Sequence, residues 1–376
     1  MNPIELKPTC RILVTRTDRI GDLVLSTPVF TALRRRFPQA WIACVTFSEN
    51  RELVEGHPDL NEVILYDKKG REKGLLGNFL FAERLKSKKF DAVIHLHATN
   101  RMHWTGWLAG IPARIGWKRK SAWTLTHALP DIKKEGKQHE SEYNFELLRF
   151  LGIEKPAQIE PYFPPNERAR LSLEELLRHH GVDQDRPRVI LSPAASCVSK
   201  RWPAERFGYL AEQLVNRYGV QILITGSAED AALAAKIGAA ANIELCDLTG
   251  RLSLGMLGEL FKQSALLISN DSGPVHIAAA VGTPVISIFG RKQAGLSPAR
   301  WRPLGIDTRV VWKDVGCETC LAHNCQIHFL CLDSISVDEV LHAVNALTPT
   351  LSHREREHRV NVKPFPSPAG RGQGEG

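Results

Sequence analysis

With 376 residues, 43% of them hydrophobic and 24% charged, the chain is expected to fold as two globular domains, each large enough to bury a core. No apolar run reaches the length of a bilayer span, and the first ten residues lack the apolar core of a secretory leader, so a cytoplasmic protein is expected. The 49 basic residues against 41 acidic ones give a formal charge of +8. Basic clusters at Arg34-Arg35-Arg36, Lys118-Arg119-Lys120 and Lys133-Lys134 suit a phosphorylated or membrane-surface partner. Nucleic acid is disfavoured, because no recognition-module signature is present and aromatics are only 7%.

Apolar runs at 12–14, 41–45, 63–65 and 92–96 predict strands, with helical patterns at 23–37 and 79–85 between them. Such alternation predicts a parallel sheet. Pro28 interrupts the first helical pattern, so the turn after Asp22 should be short or kinked. The regular helix is then expected to start with Thr27 as cap and Pro28 at its first position. Prolines at 156, 161, 164 and 165 change the texture, and residues 156–187, with a charged helix at 169–179, predict a linker between domains at 1–155 and 188–347. The second domain repeats the pattern, with strands at 189–192, 221–225, 243–245, 266–269 and 285–288 and helices at 204–217, 229–240, 254–263 and 337–347. Two Rossmann-like α/β halves are the simplest architecture. Residues 348–376 lose apolar periodicity and end in a Pro/Gly-rich run, which predicts a disordered tail.

Chemistry concentrates where strands give way to helices, the edge at which α/β proteins bind ligands. The segment Ser269-Asn270-Asp271-Ser272-Gly273-Pro274-Val275-His276 joins an apolar strand to a small-residue helix, and Pro274 suits the first helical turn. Free N–H groups at such a terminus bind phosphate oxygens, so a diphosphate is the natural ligand. Asp271 can reach sugar hydroxyls, Ser272, Gly273 and Pro274 form the phosphate turn, and His276 lies one turn in. After the strand at 189–192, Ser196 and Lys200 stand at the same edge, and a fixed ammonium there can neutralise a diphosphate without a metal cofactor. Glu229, with Asp230 as its alternative, is placed for ribose hydroxyls. In the first half, Arg16-Thr17-Asp18-Arg19-Ile20-Gly21-Asp22 sets carboxylates among guanidinium groups, and Asp22 near a helix start can accept a hydroxyl proton or merely cap the helix. Lys133, Lys134 and Lys137 are candidates for acceptor phosphates, with Arg19 and Lys118, Arg119 and Lys120 beside them. His139 reads as a structural or capping residue.

The run Asn270 to Ala280, followed by Gly282, Pro284 and Phe289-Gly290, resembles the nucleotide-sugar signature of glycosyltransferase family 9, the heptosyltransferases of bacterial lipopolysaccharide core assembly. Asp18 to Asp22 with Thr27-Pro28, and Lys200, Trp202 and Pro203, resemble two further family segments, so the likeness spans roughly residues 10 to 347. The resemblance implies the GT-B fold, two Rossmann-like domains facing across a cleft. It implies inverting transfer of heptose from ADP-heptose to the lipopolysaccharide inner core, a phosphorylated glycolipid, at the inner face of the cytoplasmic membrane. Asp22 falls on the family's catalytic base and Lys200 on its leaving-group cation. Thr249-Gly250 resembles the adenine-side loop, while Arg114-Ile115-Gly116 and residues 139–144 resemble acceptor-side segments. Serine at 272, where the family often has threonine, keeps the hydroxyl.

The residues do not separate heptose from another donor sugar, and an inactive nucleotide-binding paralogue is the alternative of another class. A dinucleotide oxidoreductase is disfavoured, since no Gly-x-Gly-x-x-Gly follows the first strand. Cys317, Cys320, Cys325 and Cys331 have spacing compatible with zinc or with reduced thiols, and the catalytic reading uses neither.

Overall fold

Strands buried on both faces read as continuous apolar runs rather than alternating ones, and the runs of this chain become such strands. The computed structural model describes residues 3–348; the tail expected at 348–376 lies, but for its first residue, outside the described residues. The first half contributes β1 (Arg11–Thr15), β2 (Trp41–Phe47), β3 (Glu62–Tyr66), β4 (Ala92–His95), β5 (Ala113–Lys118) and β6 (His127–Pro130). The second contributes β7 (Arg188–Ser192), β8 (Gln221–Ile224), β9 (Cys246–Asp247), β10 (Leu266–Asn270), β11 (Val285–Phe289) and β12 (Thr308–Trp312). Each set forms one parallel sheet, in the orders β3-β2-β1-β4-β5-β6 and β12-β11-β10-β7-β8-β9. Counted from its own first strand, each sheet has the order 3-2-1-4-5-6 of the doubly wound fold. The order reverses between β1 and β4 in one half and between β7 and β10 in the other, so a ligand crevice is expected beyond the carboxyl ends of those strands.

Helices cover both faces of each sheet. In the first half, Ile12, Val14, Ile42 and Cys44 join a core with Phe30, Leu33 and Leu147, from the helices Thr27–Arg36 and Glu140–Leu148. Leu13, Ala43, Val45 and Val93 point the other way, to Phe81, Leu85 and Met102 of the helices Gly74–Lys86 and Asn100–Leu108. Between the sheets, helix Glu167–His179 packs on helix Leu254–Lys262 of the second half. Phe163 enters the space left by Gly258, where a β-carbon would come within 2.2 Å of its ring.

Local details depart from expectation. The pattern at 23–37 splits into helices Ile20–Val24 and Thr27–Arg36, and Ser26 rather than Thr27 occupies the N-cap. The Thr27 hydroxyl donates to Val24 O and accepts from Tyr162 N, both at 2.8 Å, so it clamps the break. The helix expected at 79–85 begins earlier, at Gly74. The strand expected at 243–245 forms instead at Cys246–Asp247, where two residues suffice to pair with β8. Of the basic clusters, Arg34 is absorbed by structure, donating to Pro38 O, Ala40 O and Asn61 Oδ1.

Candidate active site

The loop after β1 opens with Arg16, only 1% exposed. A guanidinium this deep needs anionic or polar partners, and three acidic side chains surround it: Asp18 at 2.9 Å, Asp22 at 2.5 Å and Glu140 at 3.1 Å. Burial works against its charge, but the three carboxylates outweigh burial and raise its pKa. Asp22 lies in the first turn of helix Ile20–Val24, whose N-cap is Arg19. Glu140 opens helix Glu140–Leu148 and is also held by Lys133 at 2.7 Å and by Arg300, from the second half, at 2.7 Å. Burial pushes the Glu140 carboxyl up, yet Lys133, Arg16 and Arg300 together hold it below its ordinary value. Asp18 responds oppositely: burial raises it to about 8, Asp22 and Glu140 adding to burial and Arg16 opposing it. His97 faces Asp18 at 3.4 Å, and burial with nearby Arg16 and Lys133 lowers it to about 4. These groups line a cavity of about 400 Å³ with Trp117, Arg119 and Lys134.

Across from it, the loop after β10 is built mainly from backbone. Asn270 fixes it, donating to Pro193 O at 2.6 Å and accepting from Trp202 N at 3.0 Å. Ser272 is the N-cap of helix Gly273–Ala280, but its side chain makes no capping bond and faces Ser269 Oγ at 3.1 Å. Pro274 has no N–H and Val275 N donates to Ser272 O at 3.3 Å, so in the first turn it is the Gly273 N–H that is left to meet an anion. Lys200 reaches the same turn, with Nζ 3.0 Å from both Asp271 O and Asp271 Oδ2. Arg291, beyond β11, takes the same carboxylate oxygen at 2.8 Å. Asp271 thus holds two cations beside the turn through one oxygen. Burial lowers the Lys200 pKa against the pull of Asp271. His276 is buried with Nδ1 unpartnered, and burial, with His139 and Lys200 nearby, lowers it to about 3, leaving a neutral ring.

Farther along this edge, Ser196 and Glu229 are exposed. Asp230 is occupied locally, accepting from Ser227 N at 2.8 Å and Ser227 Oγ at 2.7 Å. Thr249 and Gly250 lie against the Glu229 turn, and Gly250 N donates to Gly226 O at 2.9 Å. At φ +71° and with Ala228 within 2.9 Å of any β-carbon, position 250 requires glycine.

The two loops touch. A β-carbon on Gly21 would stand 2.6 Å from His276 Cδ2 and 3.5 Å from Gly273 Cα, and one on Gly273 would stand 3.1 Å from Ile20. Asp22 is therefore set beside the helix terminus that Lys200 faces. Further bonds join the two halves, among them Arg300 to Glu140, Arg300 Nη1 to Lys133 O at 3.1 Å, His139 Nε2 to Arg302 O at 2.9 Å and Gly255 N to Glu52 Oε2 at 3.0 Å. The family profile described as glycosyltransferase family 9 (heptosyltransferase) matches residues 79–330. The chain belongs to glycosyltransferase family 9. This family 9 enzyme is 27% identical over 309 residues to lipopolysaccharide heptosyltransferase 2 of Escherichia coli strain K12, covering 80% of this chain and 87% of the other. It is similar to a solved glycosyltransferase family 9 structure from Veillonella parvula, with TM-score 0.82 and 25% identity, covering 93% and 100% of the two chains. It is also similar to the solved ADP-heptose lipopolysaccharide heptosyltransferase II of E. coli, with TM-score 0.75 and 26% identity, covering 91% and 99%. Its two sheets are the two halves of the GT-B fold.

Of the basic residues expected on the acceptor side of this family 9 glycosyltransferase, Arg19, Arg119, Lys133 and Lys134 line the cavity, while Lys118, Lys120 and Lys137 do not. Lys137 is exposed and paired with Glu135. Lys133 is spent on Glu140 rather than open to a phosphate. His139 caps its own helix, Nδ1 accepting from Ser141 N at 3.2 Å. Glu140, Arg291 and Arg300 are the residues that sequence reading missed. Arg291 follows a strand end and Glu140 opens a helix, both local signals, whereas nothing near Arg300 announces its partner. Cys317, Cys320, Cys325 and Cys331 are free thiols around one cavity of about 280 Å³. Among the described residues, no three His, Cys, Asp or Glu side chains are grouped so as to hold a metal ion.

Proposed function

We propose that this enzyme transfers heptose from ADP-heptose, with inversion, to a hydroxyl of the lipopolysaccharide inner core at the cytoplasmic face of the membrane. The observation that carries the reading is the contact of the Gly21-Asp22 turn with the Gly273 helix terminus and its Lys200. The similarity to E. coli enzymes named for ADP-heptose and lipopolysaccharide supports the donor and acceptor. Residues 1–155 hold the acceptor, residues 188–347 hold the donor, and 156–187 join them.

The acceptor oxygen attacks the anomeric carbon from the side of the first half, and its proton passes to Asp22, which Arg16 orients. The bond from that carbon to the β-phosphate oxygen breaks, and ADP leaves with the electron pair. Lys200 and the Gly273 N–H at the start of helix Gly273–Ala280 stabilise the charge that develops there; the scheme uses no metal cofactor. Glu229 takes the ribose hydroxyls, Thr249-Gly250 the adenine side, and Ser196 the diphosphate edge. Asp271 positions Lys200 and Arg291 with Oδ2 and offers Oδ1 to the sugar.

The test is ADP release from ADP-heptose with a panel of truncated lipopolysaccharide acceptors, run beside UDP- and GDP-hexoses. Acceptor-dependent release from ADP-heptose alone is expected. Release only from another donor would replace the sugar, and donor binding without release on any acceptor would leave a nucleotide-binding protein.

A further inference from the structure

The outer side of the first half carries side chains that a solvent-facing helix rarely exposes together. Helix Gly74–Lys86 turns Gly77, Phe81, Ala82 and Leu85 inward and leaves Leu75 89%, Leu76 71%, Phe79 48% and Leu80 58% exposed along one stripe. Helix Asn100–Leu108 packs beside it and exposes Trp104 and Trp107. Trp123, 66% exposed, stands edge-on to both, with ring centroids 6.1 and 5.4 Å apart.

The charge around this patch is one-sided. Residues 68–120 hold thirteen Lys and Arg against three Asp and Glu, an excess of ten in a chain whose total excess is eight. Exposed Lys69, Arg71 and Lys73 precede the first helix, Arg101 opens the second, and Lys118 and Lys120 lead to Trp123. A second copy of the chain would set this positive field against itself. An anionic bilayer matches both features: acyl chains receive leucine and phenylalanine, the interface suits tryptophan, and lipid phosphates meet lysine and arginine.

We propose that this face docks on an anionic membrane surface. The inference rests on the proposed function for its purpose: Arg119 lines the acceptor cavity while its neighbours Lys118 and Lys120 belong to the patch, so docking brings the cavity to the level where a lipid-anchored acceptor presents its sugars.

The test is co-sedimentation of the full chain with phosphatidylcholine vesicles, with and without phosphatidylglycerol, in the absence of substrate. Wild type is expected to sediment with the anionic vesicles only, and less so as salt rises. Leu75→Ser/Leu76→Ser and Trp123→Ala should each lower the partition coefficient about tenfold or more, and Lys69→Ala/Lys73→Ala by a similar factor at low salt. Circular dichroism melts, and turnover on a deacylated acceptor, should match wild type in all three. Absence of wild-type binding to anionic vesicles, or full binding by the Leu75/Leu76 variant, would overturn the proposal. So would a concentration-dependent dimer, lost in that variant, with no vesicle binding. Because vesicle binding needs no donor or acceptor, its failure is distinct from a failure of the transfer reaction.

Discussion

The two loops that meet across the cleft handle charge by different means. In the second half, the proposed anion site combines the main-chain N–H of Gly273, at the start of helix Gly273–Ala280, with Lys200 and Arg291 gathered by a single carboxylate. In the first half, the site is made from side chains of distant segments: Arg16, Asp18 and Asp22 from one loop, Lys133 and Glu140 from another, and Arg300 from the other domain. A backbone site is fixed by the fold and stays put when one side chain is lost, whereas a cluster of buried charges stands only while its members neutralise one another.

That contrast can be broken residue by residue. Asp22→Asn is expected to lower kcat by about 10³-fold while ADP-heptose affinity, measured by calorimetry, is kept; lost affinity with kept kcat would move Asp22 to the donor side. Glu140→Gln leaves Arg16, Lys133 and Arg300 with too little negative charge and should cost about 3–5 kcal/mol in denaturant unfolding, and Arg300→Ala clearly less, because two cations still hold Glu140. Lys200→Ala should reduce kcat by about 10²-fold with weakened ADP binding but an unchanged unfolding midpoint, as a backbone-built site requires. Gly21→Ala forces a methyl group into His276, and kcat/KM should fall by up to about 10²-fold as the loops are pushed apart.

The smallest effect concerns pH. His97 and His139 are lowered to about 4 and His276 to about 3 in the folded protein, chiefly by burial, against about 6.5 in the unfolded chain. At these three positions the unfolded state binds more protons below about 6.5, so their contribution should be complete above that value and fall as the pH drops toward about 4, whereas Asp18, raised by burial, contributes in the opposite direction. Unfolding midpoints at stepped pH check this, and His139→Gln should flatten the slope.

The turn proposed for the donor was legible as structure because its parts are contiguous: a strand, a Gly-Pro turn and a small-residue helix lie within residues 266–280, and Lys200 sits at the end of a neighbouring strand's loop. The alternation of strands and helices in each half was legible for the same reason, since each βα unit is local. The charged cluster proposed for the acceptor was legible only in its loop at 16–22. Glu140 and Arg300 are 160 positions apart, and no spacing rule connects them. Lys133 looked available as a cation but is consumed by Glu140, a fact visible only once tertiary contacts exist. Thr27 was read as a cap because Pro28 follows it, yet Ser26 stands at that position and the Thr27 hydroxyl ties the break between two helices to Tyr162 instead.

The tight seat of Gly21 against the His276 ring bears on how such enzymes can be recombined. Each half presents the mould for the other, and neither loop would register the mismatch when folded apart from its partner. A hybrid joining the first half of one relative to the second half of another should work only where the glycine and the imidazole are inherited as a matched pair, which makes these two positions the place to check before any exchange of halves.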